Sequence, residues 1–171
     1  RDNSPQGDSV VRYIFSMLGV KTTFSSTDGA LSTVTLTTTG RRLPRLKFDF
    51  SACPDLAQTV VCTCCGMGIP FDFTGLSTLK IKETDRIEAL KTEMAKLGFV
   101  LRAIDGRELV WDGERREPTG EALDTYDDHR MAMALAPLAF VERQVKINNP
   151  EVVSKSYPRF WQDLSLCGFS L

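Results

Sequence analysis

Three amphipathic runs in this chain stop at a glycine and pass directly into residues that favour β-structure. Residues 10–19 (VVRYIFSMLG) lead into VKTTFS, residues 86–98 (RIEALKTEMAKLG) into FVLRAID, and residues 158–168 (PRFWQDLSLCG) into FSL. Glycine enters the left-handed conformation that closes a helix at little steric cost, so each glycine marks a helix end. In the middle run Ile87, Leu90, Met94 and Leu97 fall on one face at helical spacing. Two further helical runs lie between these: residues 55–66 (DLAQTVVCTCCG) after LKFDFS, and residues 129–142 (HRMAMALAPLAFVE) after ALDTY. Both are apolar nearly all round, which predicts burial on most sides. They continue into the short β-type runs PFDFTG and QVKINNP. One unit of roughly 75 residues thus reads helix, three strands, buried helix, strand. The chain holds almost two units and the start of a third, whose last run, FSL, has no visible partner. The expected class is α/β (α+β), with sheets around buried helices.

A chain of 171 residues with 42% apolar and 25% charged side chains can build one domain with a real core. Its 21 basic and 22 acidic residues leave a net charge of −1, so no global field favours nucleic acid or a membrane surface. The densest basic stretch, Arg41, Arg42, Arg45 and Lys47, lies between strand-like runs and reads as a solvated hairpin. No apolar run reaches the ~18 residues of a membrane-spanning helix. The opening RDNSPQGD carries neither an initiator Met nor a signal-peptide pattern. This abrupt start and the unfinished third unit create the expectation of a piece of something longer. The five cysteines, Cys53, Cys62, Cys64, Cys65 and Cys167, are odd in number and lack paired spacing, which favours a reducing compartment over a disulfide framework. With His129 as the only histidine, the run from Cys62 to Cys65 reads as buried core thiols rather than a zinc site. No metal and no cofactor is expected.

Four charged clusters follow strand-like runs and open helical ones: Cys53-Pro54-Asp55, Lys82-Glu83-Thr84-Asp85-Arg86, Asp127-Asp128-His129-Arg130 and Lys155-Ser156-Tyr157-Pro158. Asp55, Thr84, Asp85, Asp128 and Ser156 suit a helix cap or first turn, and Pro158 suits a first turn. The cations Arg86, Arg130 and Lys155 do not, because a helix start is electropositive. Cations gathered at helix starts make an anion site for phosphate or carboxylate. Asp55 and Glu83 stand among them, and a site that also moves protons needs carboxylates where one that only holds an anion does not.

These clusters are specific enough to place the chain. GLSTLKIKETDRIEALKTEMAKLGF, DTYDDHRMAMALAPLAF, NPEVVSKSYPRFWQDL, ACPDLAQT and QGD resemble segments of the EPSP synthase family, in the family's order and over nearly all of residues 1–171. The resemblance implies a two-domain fold, each domain built of three βαβαββ units with the active site in the cleft between domains. Residues 1–171 would form most of the C-terminal domain, with the N-terminal domain absent. The implied reaction moves the enolpyruvyl group of phosphoenolpyruvate to the 5-hydroxyl of shikimate 3-phosphate, releasing phosphate. That step serves the shikimate pathway to chorismate and aromatic amino acids in the cytoplasm, with no nucleic acid or membrane partner. By resemblance Asp55 is the base near the hydroxyl and Glu83 the proton donor to C3, with Lys155 a competing candidate. Arg86, Arg130 and Lys155 would hold phosphoenolpyruvate, Lys82 would contact shikimate 3-phosphate, and Asp128 and His129 would help order the site. Thr78 stands where the family often contacts shikimate 3-phosphate with a different side chain; alternation along a strand would put it on the face of Lys82. The wording of KETDR and DHRMAM fits this family better than the UDP-N-acetylglucosamine enolpyruvyl transferases, which share the fold and donor. The chain alone is expected to fold but not to turn over substrate.

Overall fold

Threonine, which packs well on a pleated surface, is the commonest residue of 20–38 and helps set the first β-element. In the computed structural model, which describes residues 7–27, 31–142 and 144–170, β1 (Val20–Thr27) pairs antiparallel with β2 (Leu31–Thr38) as a two-stranded sheet. Gln6 of the QGD segment lies outside the described residues. Ahead of this hairpin, α1 (Val11–Met17) ends through Gly19 at φ 92°.

The second sheet is mixed and has the order β3-β4-β6-β5. β3 (Leu46–Asp49) runs parallel to β4 (Phe71–Thr74), and α2 (Ala57–Met67) lies in the crossover that parallel neighbours require. After α3 (Arg86–Lys96) come β5 (Arg102–Ile104) and β6 (Glu108–Trp111), an antiparallel pair, with β6 also antiparallel to β4. Alternation in β4 sends Phe71 and Phe73 inward, where their rings stack at 4.2 Å between centroids. Phe50 meets Phe73 edge-on at 5.0 Å and Phe99 meets Trp111 at 5.6 Å, so five buried aromatic rings tie the sheet to its helices.

α2 buries Val60, Val61, Cys62, Cys64 and Cys65 and packs against α4 (His129–Leu135). The cysteine run is therefore core. Burial pushes the Cys62 and Cys64 thiols up to about 12, so neither is a nucleophile at neutral pH. Cys53 is also buried, whereas Cys167 is exposed. The face predicted for α3 holds: Ile87, Leu90, Met94 and Leu97 are all buried.

Several local expectations change. The helix expected to end at Gly66 runs to Met67 and turns at Gly68, φ 67°. The helix expected over residues 129–142 is α-helical only to Leu135; Pro137, lacking an amide proton, leaves Ala136–Phe140 as a 3-10 turn. Residues 122–126 and 144–150 form no strand and are joined by one parallel bridge, Leu123–Ile147. The last amphipathic helix, α5 (Phe160–Leu166), starts two residues beyond Pro158, and no strand follows it over Phe169 and Ser170; Leu171 lies outside the described residues. The basic stretch is not simply solvated: Lys47 lies inside β3 and joins Arg45 on Asp72, at 2.9 and 2.6 Å.

Gly68 and Gly98 both hold left-handed backbone after a helix, but a Cβ at Gly98 would sit 2.2 Å from the Arg116 carbonyl oxygen while one at Gly68 meets nothing within 4 Å. Gly68→Ala should therefore cost about 1 kcal/mol, the left-handed penalty alone. Gly98→Ala should cost roughly twice that or more, since backbone must also shift. Urea unfolding followed by tryptophan fluorescence measures both; equal losses would contradict the close approach.

Candidate functional site

Three chain segments bring their charged ends together. A 3-10 turn, Pro54–Leu56, follows β3 and carries Asp55 into α2. Asp85, in extended backbone, accepts the amides of Ile87 and Glu88 and so starts α3 with Arg86 as its first residue. Asp128 caps α4 in the same way, accepting the Arg130 amide at 2.8 Å. Asp55 itself caps nothing; its carboxylate is committed to side chains.

At the centre is Arg86, whose side chain is 2% exposed. Its Nε donates to Asp128 at 2.6 Å, Nη1 to Asp55 at 2.9 Å and Nη2 to Glu83 at 2.7 Å. Asp128 is fully buried, so this pair forms the floor. The rim is more open. Asp55 also takes Lys82 Nζ at 3.4 Å and Arg130 Nη2 at 3.3 Å, and Arg130 Nη1 donates to the Asp55 carbonyl at 3.1 Å. Lys82, Arg86 and Arg130 thus face Asp55, Glu83 and Asp128, a cluster of balanced charge. Partial burial pushes the Asp55 carboxyl up, but Arg130, Lys82 and Arg86 outweigh it and hold it below the usual carboxylate range.

Six predicted residues, Asp55, Lys82, Glu83, Arg86, Asp128 and Arg130, are therefore in one cluster. Lys155 is attached indirectly: its Nζ lies 2.8 Å from both the carbonyl and the carboxylate of Asp127, next to Asp128 in the chain. It is also not at a helix start. It ends the 3-10 turn Pro150–Lys155, where a cation is favoured, and the following helix has Arg159 rather than Ser156 at its N-cap position. Lys82 likewise follows a 3-10 turn, Ser77–Ile81, rather than a strand. Thr78 is inside that turn, so strand alternation does not relate it to Lys82; it is exposed and bonds to none of the cluster. His129 Nδ1 is buried without a hydrogen-bond partner among the described residues.

One residue of the surroundings escaped the sequence reading. Glu93, fully buried, accepts from the Tyr126 hydroxyl and the Asp124 amide. A carboxylate between Leu90 and Met94 on the apolar stripe of α3 was the available signal. Among the described residues no group of His, Cys, Asp or Glu could hold a metal ion, and no helix is long and apolar enough to cross a membrane.

Fold and site together define an α/β protein whose helix starts gather cations and carboxylates around one buried guanidinium. Comparison with known proteins makes the class specific. The family model for EPSP synthase (3-phosphoshikimate 1-carboxyvinyltransferase) matches residues 1–164. A 3-phosphoshikimate 1-carboxyvinyltransferase of Bacteroides fragilis is 51% identical over 170 residues, 99% of this chain and 40% of that protein. Relatives of the same name from Clostridium acetobutylicum and Methanopyrus kandleri are 34% identical over 97% of the chain and 39% identical over 74% of it, covering 36% and 29% of their own lengths. The chain belongs to the EPSP synthase family, and it spans about two fifths of the length of the Bacteroides relative.

Two outcomes follow from the cluster. Arg86→Leu leaves the buried Asp128 without its counter-charge and should destabilise the fold by about 3–5 kcal/mol in urea unfolding. For Asp55 the sign follows from a folded-state pKa below its ordinary value of 3.8. Its contribution to stability is complete above that pH and is lost as the pH falls through the lower folded value. As the pH falls through 3.8 and below, Asp55→Asn should therefore lose less stability than the parent chain. Identical acid profiles would exclude Asp55 from the linkage.

Proposed function

We propose that this chain supplies one wall of a site that transfers the enolpyruvyl group of phosphoenolpyruvate to the 5-hydroxyl of shikimate 3-phosphate, releasing phosphate. The observation that carries the reading is one carboxylate, Asp55, shared among Lys82, Arg86 and Arg130 while Glu83 sits on the same Arg86. Family membership and the names of the relatives supply the substrates. When the anionic substrates arrive, Arg130 and Lys82 turn to them, phosphoenolpyruvate to Arg130 and shikimate 3-phosphate to Lys82. Asp55 then loses part of the positive field that holds it ionised and becomes a stronger base for the 5-hydroxyl proton. Glu83, at the open rim, takes up a proton from solvent once it leaves Arg86 and delivers it to C3, and Lys155 contacts the donor from the side of Asp127. Arg86 is so fully engaged that its contact with phosphoenolpyruvate requires Glu83 to move.

The order β3-α2-β4-α3-β5-β6 is one βαβαββ unit, and we read the flanking residues as parts of further copies in a C-terminal domain. The opposite wall comes from an N-terminal domain outside residues 1–171, in a cytoplasmic enzyme of aromatic amino acid biosynthesis. Without that wall the substrates stay hydrated and unaligned, so the chain alone is inactive.

In the full-length polypeptide, Asp55→Asn and Glu83→Gln should each lower kcat by ~10²–10⁴-fold. Substrate affinity should change far less, because the proton transfers occur only in the transition state. Arg130→Lys should weaken phosphoenolpyruvate much more than shikimate 3-phosphate, since lysine loses the planar donor pair. Steady-state kinetics and calorimetry test these; near-parental kcat in both acid variants would remove the assignment.

A further inference from the structure

A strained turn lies beside the cluster. Tyr126 and Asp127 both occupy left-handed backbone, φ 54° and φ 56°, and the Asp128 amide closes back on the Thr125 carbonyl at 2.9 Å. Consecutive left-handed positions are ordinarily glycine or asparagine. A tyrosine–aspartate pair persists there only if its surroundings over-determine it. The turn also carries much of the site: Asp128 anchors Arg86, and Asp127 holds Lys155 through its carbonyl and its carboxylate.

What holds the turn from behind is Glu93. Its carboxylate accepts the Tyr126 hydroxyl at 2.6 Å and the Asp124 amide at 2.9 Å, while Lys96 Nζ sits at 2.8 Å as its counter-charge. Lys96 in turn bonds the Ala122 carbonyl and Asp124, and Asp124 accepts from Asn148. A fully buried carboxylate is expensive to desolvate unless paired and hydrogen-bonded, and here the Glu93 bonds to Tyr126 and Asp124 and the Lys96 bonds to Ala122 and Asp124 tie α3 to residues 122–126. Burial and then Glu93 push the Tyr126 hydroxyl up to about 12, which keeps it a proton donor at any physiological pH. The same helix therefore presents Arg86 at its first turn and the clamp for the facing turn two turns later.

We infer that Glu93, acting through the Tyr126 hydroxyl, is a positioning residue that sets the 125–128 turn and thereby fixes Lys155 on Asp127 at the rim of the site. The consequence for phosphoenolpyruvate rests on the function proposed above; the consequence for Lys155 does not. Tyr126→Phe is the sharper variant, because it keeps the ring and removes only the hydroxyl, whereas Glu93→Gln also unbalances Lys96.

The test uses the full-length polypeptide under native conditions, with urea unfolding to establish that the variant is folded. Acetic anhydride labelling of Lys155 is read by peptide mass spectrometry and normalised to the exposed Lys21. Tyr126→Phe should label Lys155 faster, on the order of 10-fold, as the turn loosens. It should weaken phosphoenolpyruvate by a similar factor and leave shikimate 3-phosphate nearly unchanged. An unchanged Lys155 labelling rate in a folded variant overturns the inference. Faster labelling with unaltered phosphoenolpyruvate affinity supports the positioning role and overturns instead the assignment of Lys155 to the donor.

Discussion

Taking a guanidinium out of water costs several kcal/mol unless each of its donors finds a partner, and that requirement organises this molecule around Arg86. Its partners come from three places far apart in sequence: Asp55 ahead of α2, Glu83 just before α3, and Asp128 ahead of α4. The two buried members, Arg86 and Asp128, can only be satisfied when α3 and α4 present their first turns to each other. The helix starts are thus held in register by the pair, and the packing of α2 on α4 and of the aromatic core on the sheet must be compatible with it. Planarity matters as much as charge, since three carboxylates at three donor directions fit a fork and not a point-charge ammonium.

The parts of this arrangement with strong local signals were legible in the sequence. The apolar stripe of α3, the all-round apolar α2 and its core thiols, and the gathering of Asp55, Lys82, Glu83, Arg86 and Arg130 all rest on spacing and residue type. Failures cluster where tertiary context decides. Residues 122–126 are β-like in composition, but their backbone is spoken for by Glu93 and by the bridge to Ile147, so they hold a strained turn rather than a strand. Pro137 shortens α4 in a way the apolar pattern does not reveal. A helical pattern follows Lys155 in the sequence, yet Pro158 delays that helix to Phe160 and leaves Lys155 at the end of the preceding turn.

Those errors change how the cations are understood. Arg86 and Arg130 do stand at electropositive helix starts, but each is matched by a carboxylate, Asp128 and Asp55 respectively, rather than left open for a ligand. Lys155 needs no such compensation. The helix dipoles therefore contribute less than the sequence pattern implied, and the acids contribute more. Asp55 and Asp128 hold the cations in place through ion pairs.

On the function proposed above, a balanced cluster has a consequence for catalysis that a purely cationic pocket would not. An anion entering a cationic pocket gains Coulomb energy at once, and that energy is shared by ground state and transition state alike. Here an entering anion must first displace carboxylates, so part of the attraction is offset by their release. What remains is a carboxylate, Asp55, freed from Arg130 and Lys82 at the moment the substrates occupy those cations. Its basicity would rise only when a proton acceptor is of use, and the same exchange would uncover Glu83 once it leaves Arg86. Substrate binding would thereby be coupled to Asp55 and Glu83 through shared partners, with Arg86 and Asp128 as the part that does not move.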